Sequence, residues 1–250
     1  MYRELHAADH QRILGLEAHE LPDVVLMVGA LDVTKSALRF AGYFEDVAPL
    51  RSFPGFTARR GPTRVGLVGV FGGPMAALHA HTWLAAGVPA VVQLGWYGAL
   101  QHGTNLGDVI VPRHAERQDG VSDWYLPKGI LADATPAFAE AIAAHLESAS
   151  VPVERHAIYS TPALLAESRE VIADWSRHGY FGVDMETAAT FAVAKSIGAK
   201  RAAALIRIDD LVAEEDGLQH EMPRDRLHLL RSREPLVIDA VIAAVEGLTG

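Results

Sequence analysis

Two pairs of acidic residues in the C-terminal half of the chain follow strand-like runs. Asp184 and Glu186 flank Met185 in the segment GVDMETAAT, and Asp209 and Asp210 end the segment IRIDD. Because residues two apart in a strand face the same side, Asp184 and Glu186 are expected to point together. Two carboxylates at the end of a strand suit hydrogen bonds from the hydroxyls of a vicinal diol.

A structural role would explain the same acidic residues. Acidic side chains at the start of a helix cap it and interact favourably with the helix dipole. Asp209 and Asp210 likewise fit an ordinary turn or a helix cap at the exit of a strand. Spacing alone therefore leaves both roles open.

A glycine-rich segment, VVQLGWYGALQHGTNLGDVIVP (91–112), joins two apolar runs. Loops of this kind often present backbone N–H groups to a small anion or a polar ligand. Gln93 and Trp96 lie in this loop, and neither residue type is a typical anion clamp. The segment therefore indicates a ligand-binding loop without naming its ligand.

The composition excludes several functional classes. The formal net charge is −9 and the basic residues are scattered, so we expect neither a nucleic acid partner nor a membrane-binding patch. The absence of cysteine removes disulfides, thiol nucleophiles and Cys-ligated zinc. His79 and His81 lie two apart on a predicted helix and face different directions, so no metal site and no cofactor are expected.

The chain also lacks the signals of export and membrane insertion. Its N-terminal segment has no apolar core of the kind found in signal peptides. No apolar run approaches the ~20 residues that a transmembrane helix requires. We therefore expect a cytoplasmic protein.

Apolar strand-like runs alternate with helical segments along the chain. DVVLMVG, VGLVGVFGG and PAVVQLG predict buried strands, whereas MAALHAHTWLAAG and TPAFAEAIAAHLESA predict helices. This alternation indicates an α/β fold around a mostly parallel sheet. We expect a single domain over residues 1–250, with 1–20 as an N-terminal extension at a subunit interface. The acidic segment 212–223 is expected to form a loop that closes over a ligand.

Six segments, in the same order, resemble the nucleoside phosphorylase superfamily of purine nucleoside phosphorylases, uridine phosphorylases and methylthioadenosine/S-adenosylhomocysteine nucleosidases. They are DVVLMVG, GFTARR, FGGPMAAL, GWYGALQHGTNLGDVIVP, GVDMETAATFAVAKSIGAK and IRIDD, and the resemblance as a whole covers roughly residues 20–245. The resemblance implies a single α/β domain with a central mixed, partly barrel-like sheet flanked by helices. It also implies cleavage of the N-glycosidic bond of a small-molecule nucleoside by a homo-oligomer, either a hexamer or a dimer.

The resemblance assigns roles to individual residues. Met185 looks like the residue that packs beneath the ribose, Glu186 like the acceptor of its hydroxyl groups, and Asp209 like the acid that protonates a purine base at N7. Candidates to line the base pocket are Ser160, Thr161, Asp184 and Asp210, although a turn hydrogen bond explains the first two equally well. The Gln and Arg that grip uracil in uridine-specific members cannot be placed in STPALLAESRE, so a purine-type base is favoured.

The chain departs from the family pattern where phosphorylases hold phosphate. Gly29 matches the family glycine, but Val33 stands at the position of one arginine, and Gln93 and Trp96 replace an Arg and a Ser or Thr. In the purine-type register Arg51 matches the arginine that a neighbouring subunit contributes, whereas the uridine-type register places Pro54 at that position. Charge-assisted hydrogen bonds contribute ~1.5–3 kcal/mol each, so losing two arginines predicts weak phosphate binding. Trp96 would also fill volume that an oxyanion needs.

Hydrolysis by water is therefore the expected reaction, with phosphorolysis at an altered site and a non-catalytic nucleoside-binding protein as the alternatives. Related nucleosidases orient that water with a Glu at the position of Val33, which this chain lacks, and Asp32 is more simply a turn carboxylate. His6 or His10 could reach a neighbour's site, although a solvated histidine is the simpler interpretation. Residues interpreted as core or interface anchors are Trp83, Trp124 and Trp175.

Overall fold

A computed structural model describes residues 2–51, 53–213 and 222–249 of the chain. Over these ranges the strands are β1 (Val24–Gly29), β2 (Glu45–Pro49), β3 (Gly55–Arg60), β4 (Thr63–Val70), β5 (Ala90–Ala99), β6 (Val109–Ile110), β7 (His114–Arg117), β8 (Ala132–Asp133), β9 (Val153–Glu154), β10 (Ile158–Ser160), β11 (Gly182–Asp184) and β12 (Lys200–Asp210). The helices are α1 (Ala7–Leu14), α2 (Val33–Ala41), α3 (Gly72–Ala86), α4 (Pro136–Ser148), α5 (Arg169–Arg177), α6 (Thr187–Ile197) and α7 (Arg224–Thr249). The segment 214–221, which contains most of the predicted closing loop, lies outside the described residues.

The strands form one mixed sheet that branches at β5. The main path runs β2-β3-β4-β1-β5-β11-β10-β7-β8, and β5 also pairs with β12. β1 and β12 run parallel to β5, whereas β11 is antiparallel to it. The carboxyl ends of β1, β5 and β12 therefore meet at one edge, where ligands bind in open α/β sheets. The predicted α/β class with a mixed central sheet is confirmed.

Helices cover both faces of the sheet. Val24, Leu26 and Val28 of β1 pack into a core cluster with residues of α4 and α7. Val25 and Met27, on the opposite face, pack with residues of α3 and α6. Burial on both faces explains why this strand is continuously apolar in sequence.

Several elements differ in extent from their prediction. GDVIVPRHAER forms two short strands, β6 and β7, and VERHAIYST forms β9 and β10, although each segment was expected to be one strand. The closing segment is a single helix, α7, with Pro235 in its interior. The β2–β3 hairpin was not predicted, because every residue of β2 is exposed and its sequence carries no apolar alternation.

The N-terminal helix α1 packs within its own chain. Leu14 is fully buried in the cluster that also contains Trp83 of α3. His10 is buried, with its ring centroid 5.4 Å from that of His81. The expectation of a solvated histidine is therefore wrong for His10, whereas His6 is exposed at the start of α1. A role for residues 1–20 at a subunit interface stays a prediction.

The predicted tryptophan anchors fall into two groups. Trp83 and Trp175 are buried, as expected of core residues. Trp124 is 80% exposed, so it is not a core residue, and a position at an interface stays a prediction for it. Among the helices that the structure describes, none has the length and apolar character needed to cross a bilayer.

Candidate active site

Glu186 lies at the junction between β11 and α6. The strand ends at Asp184 and the helix begins at Thr187, so Glu186 is outside the strand and the expected strand geometry of the pair is wrong. Glu186 is nevertheless buried, and its Oε1 accepts a hydrogen bond of 2.6 Å from the backbone N–H of Gly72, the first residue of α3. A helix N-terminus stabilises a carboxylate.

The second carboxyl oxygen of Glu186 lies at the end of β1. A β-carbon added to Gly29 would lie 2.9 Å from Glu186 Oε2 and 3.3 Å from Gln93 Nε2. There is no room for a side chain at position 29 without displacing one of these groups. Three predicted site residues, Gly29, Gln93 and Glu186, are therefore brought together at the edge of the sheet.

Gln93 is fully buried, and both ends of its amide are already hydrogen-bonded. Its Oε1 accepts a hydrogen bond from Thr190 Oγ1 of α6 at 2.9 Å, and its Nε2 donates to the Leu94 carbonyl at 3.0 Å. A primary amide has two N–H donors, so the Leu94 carbonyl takes only one of them. This position thus carries a neutral amide where the resemblance expects an arginine.

Asp184 holds the start of α6 in place. Its Oδ1 accepts from Ser160 Oγ at 2.6 Å, and its Oδ2 accepts from the backbone N–H of Thr187 at 2.9 Å. Ser160 Oγ also accepts from the N–H of Ala188 at 3.0 Å, and the N–H of Thr161 donates to the Asp184 carbonyl. These bonds show a capping role for Asp184. Contact of Ser160, Thr161 or Asp184 with a base stays a prediction.

The two carboxyls beside α6 titrate far from their ordinary values. Burial, and then the charge of Asp184, raise the pKa of Glu186 to about 8. Burial also raises the pKa of Asp184, against the hydrogen bonds from Ser160 and Thr187. Burial therefore favours the protonated form of Glu186. Met185 is half-buried, and a β-carbon on Gly72 would lie 4.0 Å from its Cε.

An irregularity in β12 separates Asp209 from Asp210. The pairing register with β5 shifts between Arg207 and Asp209, as at a β-bulge. Asp210 is buried; its Oδ2 accepts from Arg207 at 2.8 Å and its Oδ1 from the N–H of Ala213 at 3.0 Å. Asp209 is half-buried, and a β-carbon on Gly98 would lie 3.0 Å from its Oδ1. The structure thus places Asp210 in a buried ion pair and Asp209 against β5.

Glu167 lies near Asp209 and was missed by the sequence analysis. It follows the 3-10 turn Leu164–Ala166, and its Oε1 is enclosed without a hydrogen-bond partner among the described residues. Burial, and then the charge of Asp209, raise the pKa of Glu167 to about 7. It belongs to STPALLAESRE, the segment that the resemblance associates with base binding in uridine-specific members, so an acidic residue there was the available signal.

Val33 and Asp32 begin α2. Val33 is the first residue of the helix, and a β-carbon on Gly69 would collide with its carbonyl oxygen. Asp32 caps the helix by accepting a hydrogen bond of 2.9 Å from the N–H of Lys35. The structural role expected for Asp32 is therefore confirmed.

Among the described residues, neither Trp96 nor Arg51 forms a hydrogen bond with Gly29, Gln93 or Glu186. Trp96 packs against the core cluster that contains Val92 and Leu94, so occlusion of an oxyanion site by its ring stays a prediction. Arg51 is exposed, and its stem lies beside Gly15. Over the described ranges, no Lys or Arg side chain forms a hydrogen bond or an ion pair with Glu186 or Gln93.

Comparisons with known proteins agree with this fold. A model of the phosphorylase superfamily matches residues 39–243, and the chain belongs to this superfamily. It is therefore an enzyme of the nucleoside phosphorylase type, a group that cleaves N-glycosidic bonds. The structure of uridine phosphorylase from Vibrio fischeri ES114 matches with a TM-score of 0.78 and 24% identity, covering 93% of this chain and 94% of that one.

Two sequence relatives are named for purine nucleosides. Purine nucleoside phosphorylase DeoD-type 2 of Vibrio parahaemolyticus is 26% identical over 212 residues, which are 83% of this chain and 89% of that protein. Guanosine phosphorylase of Halorubrum lacusprofundi is 32% identical over 146 residues, which are 57% of this chain and 59% of that protein.

Proposed function

We propose that the chain hydrolyses the N-glycosidic bond of a nucleoside with a purine-type base. The observation that carries the hydrolytic part is the Gly29–Gln93–Glu186 group, which combines a carboxyl with a neutral amide. Among the described residues no cation bonds to Glu186 or Gln93. Phosphate is bound in proteins by charge-assisted hydrogen bonds, often bidentate and from arginine, whereas a water molecule needs only neutral partners.

Glu186 and Met185 serve the sugar in this proposal. Met185 packs beneath the ribose ring, and Glu186, held by Gly72, accepts hydrogen bonds from the ribose hydroxyls. Cleavage of the bond develops positive charge on the sugar, which an ionised carboxylate stabilises. The ionised form of Glu186 also accepts the proton that the attacking water loses.

Asp209 serves the base. The electrons of the broken C–N bond move onto the base, and a proton from Asp209 neutralises the charge that develops there. Asp210 is less suited to this role, because its carboxylate already accepts hydrogen bonds from Arg207 and Ala213. The names of the purine and guanosine phosphorylase relatives support a purine-type base.

Phosphorolysis is the second candidate, and the names of the relatives favour it. Under this alternative, Arg51, which is exposed, would reach the site of a neighbouring copy in an oligomer. The backbone N–H groups around Gly29 would then supply the remaining donors.

Product analysis tests the proposal. Purified protein is incubated with inosine, guanosine, adenosine and uridine in phosphate-free buffer and again with added phosphate. The proposal predicts free base and ribose in both buffers from a purine nucleoside. Ribose 1-phosphate formed only with phosphate would establish phosphorolysis instead, and no product at all would favour a non-catalytic binding protein.

A matched pair of variants sharpens the assay. Val33→Arg restores a cation at the position that the resemblance assigns to a phosphate-binding arginine, and Thr34→Arg adds the same charge at an exposed neighbouring position. The proposal predicts that phosphate stimulates V33R and forms ribose 1-phosphate in it, while T34R behaves as the wild type. Stimulation of the wild type to the same degree would contradict it.

A further inference from the structure

The proposed reaction requires a proton for the leaving base at neutral pH. An aspartate with an ordinary pKa of ~3.9 is almost fully ionised there and has no proton to give. Enzymes with this requirement place a second carboxyl or an apolar wall beside the acid. The surroundings of Asp209 therefore have to contain the group that keeps a proton available.

We propose that Glu167 is a positioning residue that stores the proton which Asp209 delivers to the leaving base. This inference rests on the proposed function and adds a residue to it. Glu167 has no role at the sugar, which Met185 and Glu186 bind in the proposed function. It acts through Asp209 at the end of the site that holds the base.

The backbone on either side of Glu167 fixes its position. On one side is the 3-10 turn Leu164–Ala166, whose first carbonyl accepts a hydrogen bond from the Glu167 N–H at 3.4 Å. On the other side, Ser168 caps α5 by accepting from the N–H of Val171 at 3.3 Å. The side chain held between them has its Oε1 fully enclosed and without a hydrogen-bond partner among the described residues. A buried carboxyl oxygen without a partner costs free energy unless the group is neutral or a ligand completes it.

The charges around Glu167 favour its neutral form. Among the described residues, the charge that acts on it is that of Asp209 on β12, and it raises the pKa of Glu167 together with burial, the larger cause. Glu170, at the start of α5, interacts instead with Ser168 and Arg169. Two carboxyls that cannot both ionise share one proton, as catalytic carboxyl dyads do. The resulting pKa of about 7 keeps that proton available near neutrality.

The proton transfers balance. As the C–N bond breaks, its electron pair stays on the base. The one proton that the pair shares moves from Glu167 to Asp209 and from Asp209 to a base nitrogen, so the pair loses one proton in total. Water adds to the sugar carbon and gives up one proton through Glu186 to solvent, from which the pair is reprotonated. The net reaction is nucleoside plus water to base plus sugar.

A titration that does not depend on turnover tests the inference first. Carbon-13 NMR of glutamate-labelled protein follows the Glu167 carboxyl, which is assigned by its absence in Glu167→Gln. We expect a midpoint near 7 in the wild type and a midpoint lower by ~1 unit in Asp209→Asn, because the neighbouring charge is gone. The same midpoint in both proteins, or a midpoint of ordinary glutamate in the wild type, would overturn the inference.

A pH profile tests the link to catalysis. The Glu167–Asp209 pair must hold a proton while Glu186 is ionised, so kcat/KM of the wild type should peak between about pH 7 and 8. In E167Q we expect a loss of ~10–100-fold and an optimum lower by ~1 unit, whereas Glu167→Asp keeps the optimum. An unchanged optimum in E167Q would reduce Glu167 to a packing residue. Absence of nucleoside cleavage in the wild type would refute the proposed function, and the NMR titration would still decide the carboxyl pair.

Discussion

Glu186 accepts a hydrogen bond of 2.6 Å from the backbone N–H of Gly72, so a buried carboxyl sits on the N-terminus of α3. This bond links three elements: β11 and α6, which flank Glu186, and α3, whose first residue donates the N–H. The helix end favours the charged form, yet burial and the charge of Asp184 outweigh it and raise the pKa to about 8. The carboxyl can therefore change its charge near pH 8.

Glu186→Gln should stabilise the fold at alkaline pH. The pKa of Glu186 is higher in the native state than its ordinary value of 4.5, so the native state loses stability as pH rises from about 5 to about 8. This loss of stability is complete above about pH 8, and E186Q does not undergo it because its amide stays neutral. Thermal unfolding at several pH values should show E186Q gaining on the wild type by at least ~1 kcal/mol, or several degrees, toward high pH.

Glu147→Gln is the control for this measurement. Arg155 lowers the pKa of the Glu147 carboxyl on the surface of α4, so removing its charge should bring no gain at high pH. If the E186Q and wild-type curves stay parallel across the pH range, Glu186 is an ordinary carboxyl and the account of its burial is wrong.

Gly29→Ala should disable the site without unfolding the protein. The added β-carbon would come within 2.9 Å of Glu186 Oε2, so the carboxyl has to shift away from its position at the end of β1. We expect kcat/KM to fall at least ~10-fold, because small displacements of catalytic groups are costly. Gly247→Ala, where a β-carbon meets nothing within 4 Å, is the matched control and should keep full activity. Equal activity in both variants would show that the Gly29–Glu186 approach is unimportant.

Thr190→Val should destabilise the protein through Gln93. The isosteric change removes the hydroxyl that donates to Gln93 Oε1 and leaves a fully buried amide oxygen unpaired. Urea unfolding should show a loss of ~1–3 kcal/mol. Thr82→Val removes a hydroxyl that only bonds within its own helix, to the Leu78 carbonyl, and should change stability much less. Similar losses in the two variants would argue against a special role for the Gln93–Thr190 bond.

The two neighbouring aspartates should respond in opposite ways to the same change. Asp210→Asn removes the carboxylate charge that pairs with the buried Arg207 guanidinium at 2.8 Å, and we expect the free energy of unfolding to fall by ~3 kcal/mol. Asp209→Asn should leave the unfolding temperature nearly unchanged and lower kcat ~100-fold or more. Both variants, D209N and D210N, are measured by calorimetric unfolding and by the rate at which they release the base. A catalytic loss confined to D210N would move the acid to that residue.

Sequence patterns were sufficient to predict the strands and helices that carry strong local signals. β1 is a continuous apolar run, α3 ends just before Gly87, which has positive φ, and α4 begins at Pro136 after Thr135, as predicted. These features follow from burial and backbone preferences within each segment. The strand predicted at PAVVQLG is present as β5, but it extends to Ala99, so the expectation that Gln93 and Trp96 lie in a loop is wrong. The two-residue strands β6, β8 and β9 have no such signal, because pairing with a distant strand is what makes them strands.

The candidate site was predictable in residue type but not in geometry. The order of motifs pointed to Glu186, Gln93 and Gly29, and the structure brings these three together. The register shift in β12, which turns Asp209 and Asp210 to different partners, arises from pairing with β5 and is invisible in IRIDD. Glu167 was missed for the same reason, since its partner Asp209 belongs to a strand far along the chain.

The initial rate of purine nucleoside cleavage as a function of phosphate concentration tests the central claim most directly. The account predicts a rate that is already maximal in phosphate-free buffer and stays flat as phosphate is added, with ribose as the sugar product throughout. A rate that starts near zero, rises to saturation with phosphate and yields ribose 1-phosphate would contradict it.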